Sequence, residues 1–438
     1  IQLTEKNDTE THIAQARYKF IKSVAADCVK IIGQNRQFLL TEKIDSIAMH
    51  PLFAIPIFIL VMFCVFQITF GTFGSMMSDI LDTLFNVQFA NTLENILTPA
   101  EVGAFFKGLL LDGIISGIGS VITFFPQIML LFLFLSFLED SGYMARTAFI
   151  MDKLFIKIGL SGKSFVPMIM GFGCSVPAIM AVRTLDNERD RKLTMLLIPF
   201  MSCGAKMPVY VVFTAALFPN NAGIVTFSLY ILGIALGIIS GLILSNTVFK
   251  GDEPPFVLEL PPYRMPTFKS TFNHMWDKVK DFLTRVGTVI LLASIIIWLL
   301  ENLDFHLHLT ADSEYSIIGT FGKLIAPIFK PCGFGNWKVA VSLISGFAAK
   351  EAVVSTMSIL YGAYNTADLV SCLTTSFTPL SAYSFLTFVL LYVPCIAAVS
   401  TLRSELNSRK LTAFSVLYQL SVAWIMSTLV FQIGNLFV

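Results

Sequence analysis

The chain has 438 residues, 55% of them hydrophobic and 13% charged, with a formal net charge of +1 at pH 7. So much apolar surface exceeds what a soluble core can cover, which points to an all-α integral membrane protein. The near-neutral charge argues against a nucleic-acid footprint. Seven cysteines without close pairing, several of them inside apolar segments, argue against a secreted disulfide framework.

Residues 1–50 read as a charged, helix-permissive lead-in rich in Lys and Arg. The chain starts at Ile1 without a signal-peptide pattern, so it is expected to be a fragment of something longer. A first membrane span over 51–71 and an extracytoplasmic segment, acidic through Asp79, Asp82, Glu94 and Glu101, occupy 51–116. Spanning takes about 20 apolar residues. Further spans are expected at 117–138, 193–218, 224–249, 283–300, 383–402 and 412–436, about seven in all, with a Pro-rich cytoplasmic linker over 250–282.

Lys and Arg concentrate in 1–50, 139–163, 184–192, 250–282 and 403–411, which the positive-inside rule places in the cytoplasm. Regions 72–107, 219–223, 301–320 and 361–382 are poor in basic residues and belong outside. The segment between 139–163 and 184–192 must then enter and leave on one face, and 338–360 must do the same from the other. Residues 117–249 and 283–438 become two matching units of opposite orientation, each with a re-entrant segment. Such inverted repeats place transport sites at midplane on discontinuous helices. The N-terminus is expected inside and the C-terminus outside.

Four places set polar or soft groups at membrane depth: Cys174, Cys203 with Lys206, Lys350 with Glu351, and Cys395 after Pro394. Irregular backbone is tolerated there only against protein or a water-filled cavity. Cys203 lies about ten residues into its span, roughly 15 Å at the helical rise, between Pro199, Gly204 and Pro208. A lone membrane cysteine is ordinarily a small buried hydrophobe. Three of them beside Gly or Pro breaks, with a carboxylate and loosened carbonyls, suit a borderline transition metal. Lys350 and Glu351 read either as a mutually neutralised pair or as functional groups, since charge at the bilayer centre costs about 2.5–3.5 kcal/mol. Glu139 and Asp140, at an inner span end, read as interface residues or as a cytoplasmic cation exit.

Two motifs are discarded. "GLSGKS" at 159–164 ends like a phosphate-binding loop, but Lys157 stands where that loop needs glycine and no strand precedes it. His306 and His308 could collect metal, but solvated loop histidines are the simpler reading.

The stretches "LEDSGYMARTAFIMDKL", "GLSGKSFVPMIMGFGCSVPAIMAVRTL", "MSCGAKMPVYVVF", "GFAAKEAVVSTM" and "YVPCIAAVS", with "ARYKFI" near the start, resemble the bacterial ferrous iron transport protein B (FeoB) family over essentially the whole chain. The resemblance implies a multi-pass Fe2+ permease of the bacterial cytoplasmic (inner) membrane, with two Gate-type repeats. Fe2+ would be substrate, with metal ligands Cys174, Cys203, Cys395 and Glu351, and with Glu139 at the exit. Family members usually begin with a cytosolic GTPase domain and a helical regulatory domain. GTP would therefore act only through that absent domain, and this portion is not expected to be an enzyme. Expected partners are the lipid bilayer, that GTPase domain, small cytosolic accessory proteins and a second copy of the chain. The sequence departs from the family at Ala398, where threonine is expected. An ion-coupled nucleoside-type carrier, or a membrane scaffold or redox sensor, are the alternatives.

Overall fold

The computed structural model describes residues 13, 16–24, 41–42, 44–46, 49–50, 53–97, 104–250, 262–306, 308, 310, 313–363 and 365–437. The chain divides into two compact units, Ile1–Phe53 and Ala54–Val438. In the first, residues 16–24 form an exposed helix, and much of the expected lead-in lies outside the described residues.

The second unit is helical, with no strand among the described residues. In lipid an apolar segment can satisfy its amides and carbonyls only within itself, and a helix does so. The helices used below are α1 (Ala54–Phe70), α2 (Thr72–Asp82), α3 (Ser116–Asp140), α4 (Tyr143–Phe155), α5 (Phe165–Gly173), α6 (Ser175–Ala181), α7 (Glu188–Leu197), α8 (Met207–Leu217) and α9 (Ala222–Thr247). They continue with α10 (Phe268–Phe282), α11 (Thr288–Asn302), α12 (Ile317–Ile325), α13 (Trp337–Ala348), α14 (Ala352–Tyr361), α15 (Thr366–Ser376), α16 (Pro379–Leu391), α17 (Ile396–Leu406) and α18 (Arg409–Asn435).

Among the described residues, six helical runs are long and apolar enough to cross a membrane: Ala54–Asn95, Phe105–Asp140, Glu188–Leu217, Ala222–Thr247, Pro379–Leu406 and Arg409–Asn435. The protein is therefore a multi-pass membrane protein. The span expected at 283–300 takes a shorter form, the apolar helix α11, which continues from the charged helix α10 through a π-helical turn at Leu283–Gly287. The first span also differs from expectation. Its helical run covers 42 residues, roughly 60 Å at the helical rise and about twice a hydrocarbon core. It breaks at Gly71, where a Cβ would lie 2.1 Å from the Gln67 carbonyl oxygen. Beyond the break α2 packs on α3, with Ser78 Oγ donating to the Thr123 carbonyl at 2.6 Å.

Two helix pairs are sharply bent: Tyr143–Ile158 with Gly162–Gly173 by 106°, and Ile317–Cys332 with Trp337–Ala348 by 102°. Each corner follows a glycine in the left-handed region, Gly159 at φ +77° and Gly333 at φ +85°, where a side chain would strain the backbone. Past each corner lie the segments expected to re-enter: α5 and α6 around Cys174, then α13 and α14 around Ala349–Glu351.

A single order of elements thus occurs twice. A helix (α3, α11) leads to a bent pair, then a short return helix (α6, α14), a broken span (α7–α8, α16–α17) and a long helix (α9, α18), the second succession adding α15 before its broken span. The broken spans form the core. They are 72% and 78% buried, against 22% to 39% for the other four runs, whose exposed Ile and Phe side chains suit lipid contact. The helix α9 reaches the first broken span through Gly233, where a Cβ would lie 2.8 Å from the Phe200 carbonyl oxygen. Small residues at such crossings let membrane helices approach closely.

Candidate functional site

Four helix interruptions lie in the two successions. Cys174 is a single extended residue between α5 and α6 (φ −150°, ψ 130°). Met201–Cys203 is extended between Phe200 and Gly204. The chain is irregular at Ala349–Glu351 and again at Tyr392–Cys395. Local chemistry accounts for these breaks. Proline has no N–H to continue the ladder and clashes with the preceding turn. Glycine lowers helix propensity by about 1 kcal/mol.

Cys174, Cys203, Glu351 and Cys395 share one position: each is the residue from which a helix restarts. Helix N-termini carry unpaired amides and about half a positive charge, which favours thiolate and carboxylate. Tertiary packing brings them together. The helix α6 that restarts at Cys174 packs on α17, which restarts at Cys395, and α13 packs on α17 as well. A Cβ on Gly204 would lie 3.5 Å from the Gly173 carbonyl oxygen, so the first two breaks touch. Among the described residues, however, no three His, Cys, Asp or Glu side chains are close enough to hold a metal together. The donors face one region without closing into a coordination shell.

Two buried lysines complete the arrangement. Lys206 follows the Cys203 break, and its Nζ donates to the Leu390 carbonyl at 2.6 Å. Lys350 donates to the Val393 carbonyl and stands over the Tyr392 ring, 3.1 Å from its centroid. The sequence reading set Lys350 against Glu351, yet its hydrogen bond goes to backbone 43 residues away. Tyr392 was not anticipated at all. Its hydroxyl is buried without a hydrogen-bond partner among the described residues. Tyr210, also unforeseen, pairs with Ser202 at 3.0 Å beside the Cys203 break. An aromatic in an apolar run carries no sequence signal of this kind.

Glu139 does not join the group. Its carboxylate receives Lys278 of α10 at 2.7 Å, and Asp140 pairs with His274 at 3.1 Å. Both residues therefore tie α10 to the end of α3. The "GLSGKS" loop offers its amides to carboxylates, Gly162 N–H to Asp152 at 2.7 Å and Ser161 N–H to Asp190 at 3.2 Å. Such a loop does not cradle phosphate. His306 and His308 sit in a loop organised by Asp304, which accepts both of their backbone amides. Cys332 is a packing residue, buried with its sulfur 3.2 Å from Thr428 Oγ1. A groove of about 690 Å³ between α8 and α9 contains none of the expected site residues.

Comparison with known proteins places this geometry. Residues 121–217 and 283–409, just over half of the chain, match the Gate family, described as nucleoside recognition. Residues 226–278 match the ferrous iron transport protein B C terminus. The chain is 42% identical over 422 residues to the Fe(2+) transporter FeoB of Staphylococcus aureus, covering 96% of this chain and 63% of the relative. It is 43% identical over 411 residues to that of Campylobacter jejuni, covering 91% and 66%. A fusion of Fe(2+) transport protein A and Fe(2+) transporter FeoB from Porphyromonas gingivalis is 40% identical over 483 residues, covering 99% and 56%. The chain therefore spans less than two thirds of each of these relatives. No solved structure matches it significantly.

Proposed function

This chain belongs to the ferrous iron transport protein B family, as membrane portion, and we propose that it carries Fe2+ across the bacterial cytoplasmic membrane. The observation that supports this most directly is the placement of Cys174, Cys203, Glu351 and Cys395 at four helix restarts within the two broken spans and the two segments expected to re-enter. Soft sulfur with replaceable oxygen suits a borderline divalent metal. An open donor set suits passage, because a closed four-thiolate shell would retain the ion. In this reading an ion is held transiently by subsets of the donors as the broken spans shift.

The remaining assignments belong to the same proposal. The N-terminus faces the cytoplasm and the C-terminus the outside, and the two successions of helices are inverted repeats, the second over 283–438. A GTPase domain gates the permeation path in the full-length protein. A small accessory protein acts with it, a relation supported by the fused relative from Porphyromonas gingivalis. A homo-oligomer is compatible with the exposed apolar faces.

Uptake into reconstituted vesicles tests the reading. Fe2+ accumulation should fall about tenfold or more at limiting iron in Cys174→Ser and Cys203→Ser, with protein abundance unchanged and Cys372→Ser as control. Cys28, a second peripheral thiol suited to the same control, lies outside the described residues. The Gate description makes a nucleoside carrier the second reading. Nucleoside accumulation without iron uptake would replace the first reading by the second, and accumulation of neither would favour a scaffold. Impermeant labels should reach 184–192 from the cytoplasm and 361–382 from outside; labelling of both from one side would remove the inverted repeat.

A further inference from the structure

The second broken span has an unusual end. In a continuous helix the Leu390 carbonyl would accept the amide of residue 394, but that residue is Pro394 and has no N–H. The last backbone bond of this helix is Tyr392 N–H to Phe388, so the carbonyls that follow need other partners. Two of them, those of Leu390 and Val393, receive a lysine ammonium. Lys206 reaches Leu390 from the other broken span, 184 residues away in sequence, and Lys350 reaches Val393 from the break between α13 and α14. Both side chains are almost wholly buried, Lys206 at 2% and Lys350 at 1% exposure. Among the described residues no carboxylate forms a salt bridge with either.

Two ammoniums buried on backbone carbonyls are costly unless those carbonyls need positive charge. Packing alone does not call for lysine here, since methionine would fill the same space without a charge. Carbonyl oxygens freed by a helix break are also what unwound membrane helices use to coordinate cations. Cys395 stands two residues from Val393, so a cation on the carbonyls would lie beside a thiol donor.

We infer that the Leu390 and Val393 carbonyl oxygens are part of the cation-binding site, and that the ammoniums of Lys206 and Lys350 occupy them as tethered stand-in cations until the transported ion displaces them. This rests on the cation-transport reading above and adds to its ligand set. The lysines act as positioning residues: they keep the broken span in its open geometry when no ion is present. They also make the ion compete for its oxygens, which lowers apparent affinity and speeds release. No bond is made or broken covalently; two charged hydrogen bonds are exchanged for coordination by a divalent ion.

The test is Fe2+ uptake by vesicles carrying the parent chain, Lys206→Met, Lys350→Met and the two Lys→Arg variants. Removing a competing charged hydrogen bond should lower the half-saturating Fe2+ concentration about tenfold in each Met variant. The maximal rate should fall with it, because the ion leaves more slowly. The Arg variants, which keep the charge, should stay near the parent. Folded Met variants with unchanged or raised half-saturation would overturn the inference. Anomalous scattering from crystals of the parent grown with Fe2+ decides it even if those variants fail to fold. Iron bound at the Leu390 or Val393 oxygen with both ammoniums withdrawn is the expected result. Iron held by the thiols while both lysines remain on the carbonyls would overturn the inference and leave the proposed function standing. Parent vesicles that take up no Fe2+ would overturn both.

Discussion

Lys206 donates its ammonium hydrogen bond to the Leu390 carbonyl, 2.6 Å across the contact between the two most buried broken spans. Neither residue explains the other locally. The lysine follows one helix break, the carbonyl is orphaned by a second, and the bond exists because the two breaks meet.

Pro394 is the origin of that orphaned carbonyl. In Pro394→Ala an amide becomes available to the Leu390 carbonyl, and the helix can run on towards Cys395. A proline inside a helix costs about 3 kcal/mol, so thermal stability should hold or rise while Fe2+ uptake falls severalfold. Unchanged uptake in a variant whose thermal midpoint had risen would show that the break is not needed for transport.

Arg183 ties three elements together near the end of α6. Its Nε donates to Glu405 of α17 at 2.8 Å, a second guanidinium nitrogen pairs with the same carboxylate, and Nη1 lies 3.3 Å from Asp281 of α10. The arginine side chain is 42% exposed, so solvent screens much of the attraction. Arg183→Gln should cost up to about 1 kcal/mol at low ionic strength and less in high salt. Thermal midpoints at two salt concentrations check this, and a salt-independent loss would point to packing instead.

Asp304 organises the loop after α11. Backbone amides of His308 and His306 donate to its carboxylate and hold its pKa below the usual aspartate value of 3.8. A depressed carboxylate favours the folded loop fully above the ordinary aspartate range, and the contribution disappears as pH falls through its own lower value. Amide exchange at His306 and His308 should therefore be slow at neutral pH and lose protection only below about pH 3.8. Fast exchange of both amides already at neutral pH would show that Asp304 does not hold the loop.

Membrane residence, the all-helical class and the breaks at Cys174, Cys203, Ala349–Glu351 and Cys395 were all legible in the sequence. Each follows from composition or from glycine and proline acting over a few residues, and such local terms survive in any packing. The left-handed corners at Gly159 and Gly333, with their roughly right-angle bends, came from the structure. Only the tertiary structure decided which groups meet. It extended the first span into a long helical run broken at Gly71, and it shortened the span expected at 283–300 to α11. Glu139 was drawn to Lys278, 139 residues away, rather than towards the thiols. Lys350 turned from its neighbour Glu351 to the Val393 carbonyl. A buried ammonium takes whatever acceptors the packed helices leave unsatisfied at its depth, and that set is absent from the residues beside it in the chain.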